Sequence, residues 1–160
     1  MSDEQLLERS QRVRLPLERT FELFADARNL EAITPEWLRF RIVNPGEIEM
    51  GAGALIEYRL RLHGAPVRWR TRIEVWDPPH RFVDAQISGP YALWHHTHEF
   101  EREGAETVIR DRVRYRIGFG PLGGLAMALF VRRDLERIFD YRRAAVERLV
   151  SSRARPARAA

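Results

Sequence analysis

The stretch Trp94-His95-His96-Thr97-His98-Glu99-Phe100-Glu101-Arg102-Glu103-Gly104-Ala105-Glu106-Thr107-Val108-Ile109-Arg110-Asp111-Arg112-Val113-Arg114-Tyr115 reads as two strands joined by a tight turn at Gly104-Ala105. Side chains alternate between the faces of a strand, so Trp94, His96, His98 and Phe100 share one face. Ile109, Asp111, Val113 and Tyr115 share a face of the next strand, opposite Arg110, Arg112 and Arg114. Pairing Glu103 with Glu106 sets Phe100 beside Ile109, His98 beside Asp111, His96 beside Val113 and Trp94 beside Tyr115. The two apolar faces then agree, and an inward His98–Asp111 pair is expected. Side chains of that pair on opposite faces would exclude this register.

The same period runs upstream. Ile56, Tyr58, Leu60 and Leu62 oppose Glu57, Arg59 and Arg61 in a strand over 54–62. Val67, Trp69, Thr71, Ile73 and Val75 oppose Arg68, Arg70, Arg72 and Glu74 over 67–76. With His63-Gly64-Ala65-Pro66 as the turn, Leu62 pairs with Val67, Leu60 with Trp69, Tyr58 with Thr71 and Ile56 with Ile73. Asp77-Pro78-Pro79-His80 and Ser88-Gly89-Pro90 bound a further strand over 81–87. Its parity is divided: Val83, Ala85 and Ile87 form the more apolar set, but Phe82 and continuity through the turn favour Phe82, Asp84 and Gln86 as the inner one. Asp84 then approaches His96, and Gln86 lines the same wall. One apolar and one charged face per strand mark an antiparallel sheet buried on one side. The outer arginines read as its solvated face.

Helices flank this sheet. A short strand around Ser10–Leu15 stops at Pro16, and Leu17–Ile33 carries Phe21, Phe24, Leu30 and Ile33 at helical spacing. A break between Asp26 and Asn29 divides it in two, and Thr34-Pro35 ends it. From Leu125 onward Ala128, Val131, Leu135, Ile138, Arg142, Ala145 and Leu149 recur at three and four residues, widened by Phe139 and Val146. Only this long helix can cover the sheet's apolar face, which gives an α+β, helix-gripping architecture. Residues 1–150 form one domain, and the small, basic, Pro-interrupted segment 151–160 is expected to be disordered.

Composition removes several functions. The 160 residues contain no Cys, which excludes disulfides, thiolate metal sites and cysteine nucleophiles. All 27 basic residues are Arg, so Schiff-base chemistry and a phosphate-loop lysine are absent. The net charge of +4, less Arg153, Arg155 and Arg158 of the tail, leaves +1 on the body. No nucleic-acid surface is indicated. No apolar run approaches the roughly 18 residues of a membrane span, and the acidic N-terminus is unlike a signal peptide. A cytoplasmic location without stable membrane insertion follows as the expectation.

The inner face therefore carries His96, His98, Asp111 and Asp84 among aromatic residues. Unpartnered buried polar groups cost roughly 2–7 kcal/mol each, so these must bond to each other, to water or to a ligand. Three readings stand. One is a satisfied structural network. Another is a partly polar ligand cavity walled by Tyr58, Trp69, Trp94 and Tyr115. The last is a metal site of His96 and His98 with Asp111 or Asp84, whose spacing matches no standard zinc signature. Weaker signals read structurally. Gly51-Ala52-Gly53 is followed by a strand rather than a helix, and Ser88 lacks a nucleophile-elbow pattern. Arg142 reads as a buried partner for an inner acid or as a side chain reaching the rim. The apolar stretch 120–130 reads as a helix start, with a cavity lid or a membrane-touching entrance as alternatives.

Several of these motifs together resemble a known family. Asn29-Leu30 with Thr34-Pro35, the Gly51 loop, Trp69, Asp84-x-Gln86 and Gly89-Pro90-Tyr91 belong to the pattern. So do Trp94-x-His96-x-His98-x-Phe100, Asp111-x-Val113-x-Tyr115 and Tyr141-Arg142. The chain is similar over about residues 6–150 to the SRPBCC superfamily, which includes START domains and the birch-pollen allergen. It looks most like the bacterial branch labelled polyketide cyclase/dehydrase-like or cell-division-inhibitor-like. The resemblance implies a helix-grip fold, with about seven antiparallel strands curved around a deep cavity under the C-terminal helix. It also implies a small hydrophobic ligand, of lipid, polyketide or aromatic type. The expected ligand-binding residues are Tyr58, Trp69, Asp84, Gln86, Trp94, His96, His98, Asp111 and Tyr115, with no metal or other cofactor. The enzymatic alternative is a cyclase/dehydratase or hydrolase, with His98–Asp111 as general acid/base and Tyr115 as proton donor. A further alternative docks an acidic partner on the outer arginines. A monomer or homodimer is expected.

Overall fold

A computed structural model describes residues 4–118 and 124–154. Its elements are β1 (Gln5–Val13), α1 (Leu17–Ala25), α2 (Ala27–Ala32), a 3-10 turn at Glu36–Leu38, β2 (Arg41–Ile42), β3 (Leu55–Leu62), β4 (Ala65–Asp77), β5 (Arg81–Ser88), β6 (Tyr91–Glu103), β7 (Glu106–Ile117) and α3 (Gly124–Ala154). All seven strands form one curved antiparallel sheet in the order β1-β7-β6-β5-β4-β3-β2, with α3 against its concave face. This is the helix-grip α+β architecture expected from the alternating pattern. Near-neighbour connectivity follows from the tight turns; only β1 crosses over, to pair with β7. It starts earlier than expected and ends at Val13, with Leu7 and Val13 buried.

The β6–β7 register is the one derived from Gly104-Ala105, down to Glu103 beside Glu106 and Trp94 beside Tyr115. The β3–β4 register differs by two residues: Leu62 faces Ala65, Leu60 faces Val67, and Tyr58 faces Trp69. The turn consists of His63 and Gly64 alone, at φ values of 49° and 83°. Two successive positive φ angles suit a two-residue hairpin, which lets Ala65 and Pro66 join the ladder. A shift of two preserves parity, so Tyr58, Leu60 and Trp69 remain on the inner face. On β4 an irregularity between Ile73 and Val75 turns Trp76 inward, beside Phe21 and Phe82. A bulge of this kind adds a residue and bends the strand. On β5 the inner set is Phe82, Asp84 and Gln86, although Val83 and Ala85 are buried as well.

The helical layer closes one side. The break between α1 and α2 falls at Asp26, whose carboxylate accepts from the Arg28 N–H at 3.0 Å and caps α2. Asn29 donates to the Leu23 carbonyl at 2.8 Å and holds the bend. Leu135, Phe139, Ala145, Val146 and Val150 are the buried residues among those described in α3. Val150 replaces half-buried Leu149 at the end of the expected stripe. The helix runs through Ser151–Ala154, the first residues of the segment expected to be disordered; residues 155–160 lie outside those described. Residues 119–123, the approach to α3, also lie outside them.

Candidate functional site

A cavity of about 170 Å³ opens between the concave face of the sheet, α1–α2 and α3. Its wall is largely hydrocarbon and aromatic ring. Tyr58 stacks on Trp69 at 5.6 Å between centroids, and Trp69 meets Trp94 edge-on at 5.2 Å. These rings come from nearby strands at the same depth because the β3–β4 ladder sets Tyr58 beside Trp69. The Trp69 indole N–H is buried and has no hydrogen-bond partner among the described residues.

The polar floor is made by Asp84 on β5 and His96 and His98 on β6, with Asp111 of β7 behind them. The ladders set Asp84 beside His96 and His98 beside Asp111. The shortest bonds, however, run diagonally. His98 Nε2 lies 2.7 Å from Asp84 Oδ2, and His96 Nε2 lies 2.8 Å from Asp111 Oδ1. The direct cross-strand contacts are longer: His98 Nδ1 to Asp111 Oδ1 is 3.1 Å and His96 Nδ1 to Asp84 Oδ2 is 3.8 Å. The 3.1 Å contact is poorly directed, so His98 Nδ1 makes no regular hydrogen bond. Each carboxylate thus touches both imidazoles through one oxygen. The two rings face each other at 3.7 Å, and Phe82 stacks on the far side of His98 at 4.1 Å.

Burial sets the baseline for all four pKa values, and the bonds then separate them. Burial alone would raise both carboxyls. The bond from His98 holds Asp84 below its ordinary value, and the bond from His96 together with the close contact of His98 holds Asp111 well below it. Burial and the adjacent His98 push His96 down. For His98, burial is outweighed by Asp111 and Asp84, and its value rises. The direction that follows is a neutral His96, donating through Nε2–H, beside a more basic His98 held between two anions. Burial also pushes the Tyr58 and Tyr91 hydroxyls upward, so both remain neutral.

Of the expected site residues, Tyr58, Trp69, Asp84, Trp94, His96 and His98 line the cavity. Three do not. Gln86 is spent on the backbone of Tyr91, donating to its carbonyl at 2.7 Å and accepting from its N–H at 3.2 Å. Tyr115 is buried among Leu7, Val113, Leu135 and Phe139, and its hydroxyl donates to Gln5 Oε1 at 3.0 Å. Asp111 lies behind the histidines, on a side cavity of about 20 Å³ shared with Arg142. Arg142 also lines the main cavity, with its guanidinium 5.5 Å from the Phe24 ring and 6.0 Å from that of Phe139. It forms no salt bridge among the described residues, so it is not the direct partner of an inner acid. Alternation on the strands did not find Phe40, Leu38 and Pro35, which complete the wall from the segment after α2. That segment has no period to read. Tyr91 was legible only as the residue after Gly89-Pro90.

The family description "Polyketide cyclase / dehydrase and lipid transport" matches residues 4–152. No curated protein sequence matches the chain. Among solved structures, TTHA0849 from Thermus thermophilus is 21% identical, with a TM-score of 0.77 over 94% of this chain and 100% of that one. The Zhui aromatase/cyclase from Streptomyces sp. R1128 is 17% identical, with a TM-score of 0.77 over 98% and 99%. Ara h 8.0201 is 15% identical, with a TM-score of 0.65 over 93% and 99%. At these identities the likeness is one of fold. The family match spans nearly the whole chain and agrees with the helix-grip architecture around a walled cavity: this protein belongs to the polyketide cyclase/dehydrase and lipid transport family of the SRPBCC superfamily.

Proposed function

We propose that the chain binds a small hydrophobic or amphipathic molecule of lipid, polyketide or aromatic type in the cavity under α3. The observation that supports this reading best is the wall itself. An apolar hollow containing a buried, unpartnered Trp69 N–H and ending on Asp84, His96 and His98 suits a ring-bearing ligand with a polar acceptor. The apolar body packs on Tyr58, Trp69 and Trp94, and the polar end meets the floor. Such a carrier works in the cytoplasm as a monomer or homodimer; no described helix is long and apolar enough to cross a membrane. Native mass spectrometry of protein purified without added ligand, with titration of 1-anilinonaphthalene-8-sulfonate, tests it. Binding at one equivalent that is lost in Leu60→Trp, which fills the hollow, is the expected result. Absence of both co-purified mass and saturable dye binding overturns it.

A second reading is catalytic. His98 lines the cavity between Asp84 and Asp111, the arrangement of an oriented general acid/base in a cyclase/dehydratase or hydrolase. Tyr115 takes no part, since its hydroxyl is bonded to Gln5 away from the cavity. Turnover of a polyketide-like β-dicarbonyl substrate by the parent but not by His98→Asn supports this reading. Equal rates remove His98 from catalysis.

A further inference from the structure

The floor of the cavity has a capacity that does not depend on an organic ligand. One donor atom each from Asp84, His96 and His98 lies within 4.8 Å of the other two. Asp84 Oδ2 is 2.7 Å from His98 Nε2 and 3.8 Å from His96 Nδ1. Bonds of about 2.0–2.2 Å from a first-row cation to imidazole and carboxylate place neighbouring donors about 3–3.5 Å apart, between these two values. We propose that Asp84, His96 and His98 form a binding site for a divalent transition-metal ion of the Zn²⁺ type, with an open position facing the cavity.

Asp111 is what makes this side of the cluster the ligating one. Its Oδ1 bonds His96 Nε2 at 2.8 Å and lies 3.1 Å from His98 Nδ1, so it backs the distal nitrogen of His96 directly and sits behind His98 without a regular hydrogen bond. A carboxylate behind a ligating imidazole fixes the tautomer and strengthens the donor. With Nε2–H of His96 donating to Asp111, Nδ1 carries the lone pair and lies 3.8 Å from Asp84 Oδ2. Two electron-rich atoms then face each other across 3.8 Å with no proton between them, and a cation fits that gap. The two carboxylates carry a formal −2, against which Arg142 on the same cavities sets +1, and a metal ion neutralises the remainder. Two nitrogens among three donors disfavour Mg²⁺ and Ca²⁺, which take oxygen ligands. All three donors line the main cavity, whereas Asp111 does not, so the open position meets whatever the cavity holds.

Loading requires two changes. His98 ends as a neutral imidazole with its proton on Nδ1, facing Asp111, and an imidazolium's second proton, on Nε2, leaves to solvent as that nitrogen takes the ion. The rings, inclined at 32°, open further so that both lone pairs converge, with Asp111 as the pivot.

Tag-free, chelator-treated full-length protein titrated with Zn²⁺ by calorimetry, and with Co²⁺ by visible absorption, tests the site. The expected result is one equivalent bound, with Co²⁺ bands of a low-coordinate nitrogen–oxygen site. Asp84→Asn and His96→Gln weaken Zn²⁺ binding at least about 100-fold, and Asp111→Asn weakens it about 10–100-fold, the range for loss of an outer carboxylate. His95→Gln, on the opposite face of β6, leaves it unchanged. Circular dichroism checks each variant. If one fails to fold, imidazole ¹⁵N shifts of His96 and His98 in Zn²⁺-titrated wild type give the same answer. No saturable uptake by wild type overturns the proposal. So does uptake that survives Asp84→Asn but is lost in Asp111→Asn, or uptake that depends on His95. Dye binding to the cavity is scored separately and does not bear on this outcome.

Discussion

His98 Nε2 bonds to Asp84 Oδ2 at 2.7 Å, although the ladder sets Asp84 beside His96 and sets Phe82 beside His98. Diagonal neighbours on one face lie within reach of long side chains, and strand side chains lean along the strand rather than stand upright. The same lean takes His96 to Asp111 at 2.8 Å. The result is a closed set of four groups in which each acid holds one imidazole tightly and the other loosely.

Removing one acid from this set should be costly. In metal-free protein Asp111→Asn leaves both imidazoles short of an anion, and loss of one partner of a buried pair costs about 3–5 kcal/mol. An Asp111 side chain only 13% exposed justifies the buried value. Urea unfolding is expected to show that drop, with Asp84→Asn and the double variant completing a cycle that couples through the shared histidines.

The pH dependence of metal-free protein follows from the same bonds. Asp84 and Asp111 have folded values below their unfolded ones, so their stabilisation is present above an unfolded value of about 3.9 and is lost as pH falls through the folded values. The raised His98 adds stability below about 6.5 that disappears as pH rises through its folded value, whereas the lowered His96 works in the opposite sense over the same range. The carboxylate contribution is the one lost below about 3.9. Unfolding free energy measured from pH 5 to 2 should fall steeply below about pH 4, and less steeply in Asp111→Asn. An acid limb that is unchanged in Asp111→Asn would contradict the carboxylate assignment.

Trp69 separates packing from hydrogen bonding. Trp69→Phe keeps most of the ring and removes an indole N–H without a partner, so free-protein stability should change by less than about 1 kcal/mol. Trp69→Ala should cost about 3–5 kcal/mol through the cavity it leaves. Dye or ligand affinity should fall in Trp69→Phe despite its intact fold. Unfolding curves and binding titrations on the same samples check both halves.

The two-residue turn between β3 and β4 is a sharper test of the register. Gly64 has φ +83°, and a Cβ there would meet nothing within 4 Å. The cost of Gly64→Ala is therefore backbone strain alone, about 1–2 kcal/mol. Gly64→Asn, which tolerates this region, should restore much of it. Thermal denaturation of the two variants is the measurement. A turn of four residues, with Gly64 outside the tight bend, would give no difference between them.

The alternation of β6 and β7 made the inner identity of His96, His98 and Asp111 legible, because a period of two assigns every residue to a face once one is known. A run of tight turns likewise made the antiparallel order legible. Gly104-Ala105 gave the β6–β7 register, but His63-Gly64-Ala65-Pro66 left two lengths of turn open, and parity cannot distinguish a slip of two. The apolar spacing after Leu125 identified α3, while the rotation that buries Val150 rather than Leu149 came from its docking.

What the chain by itself determined was therefore the side of the sheet on which each group stands, since covalent geometry alone sends successive side chains to opposite faces. Which acid meets which imidazole belonged to the packed molecule, where strand lean carried the bonds onto the diagonals and Phe82 and the paired rings held them there. So did the fates of Tyr115 and Gln86, both inward by parity yet turned from the cavity, because Gln5 and the backbone of Tyr91 offered them bonds that no local pattern contains.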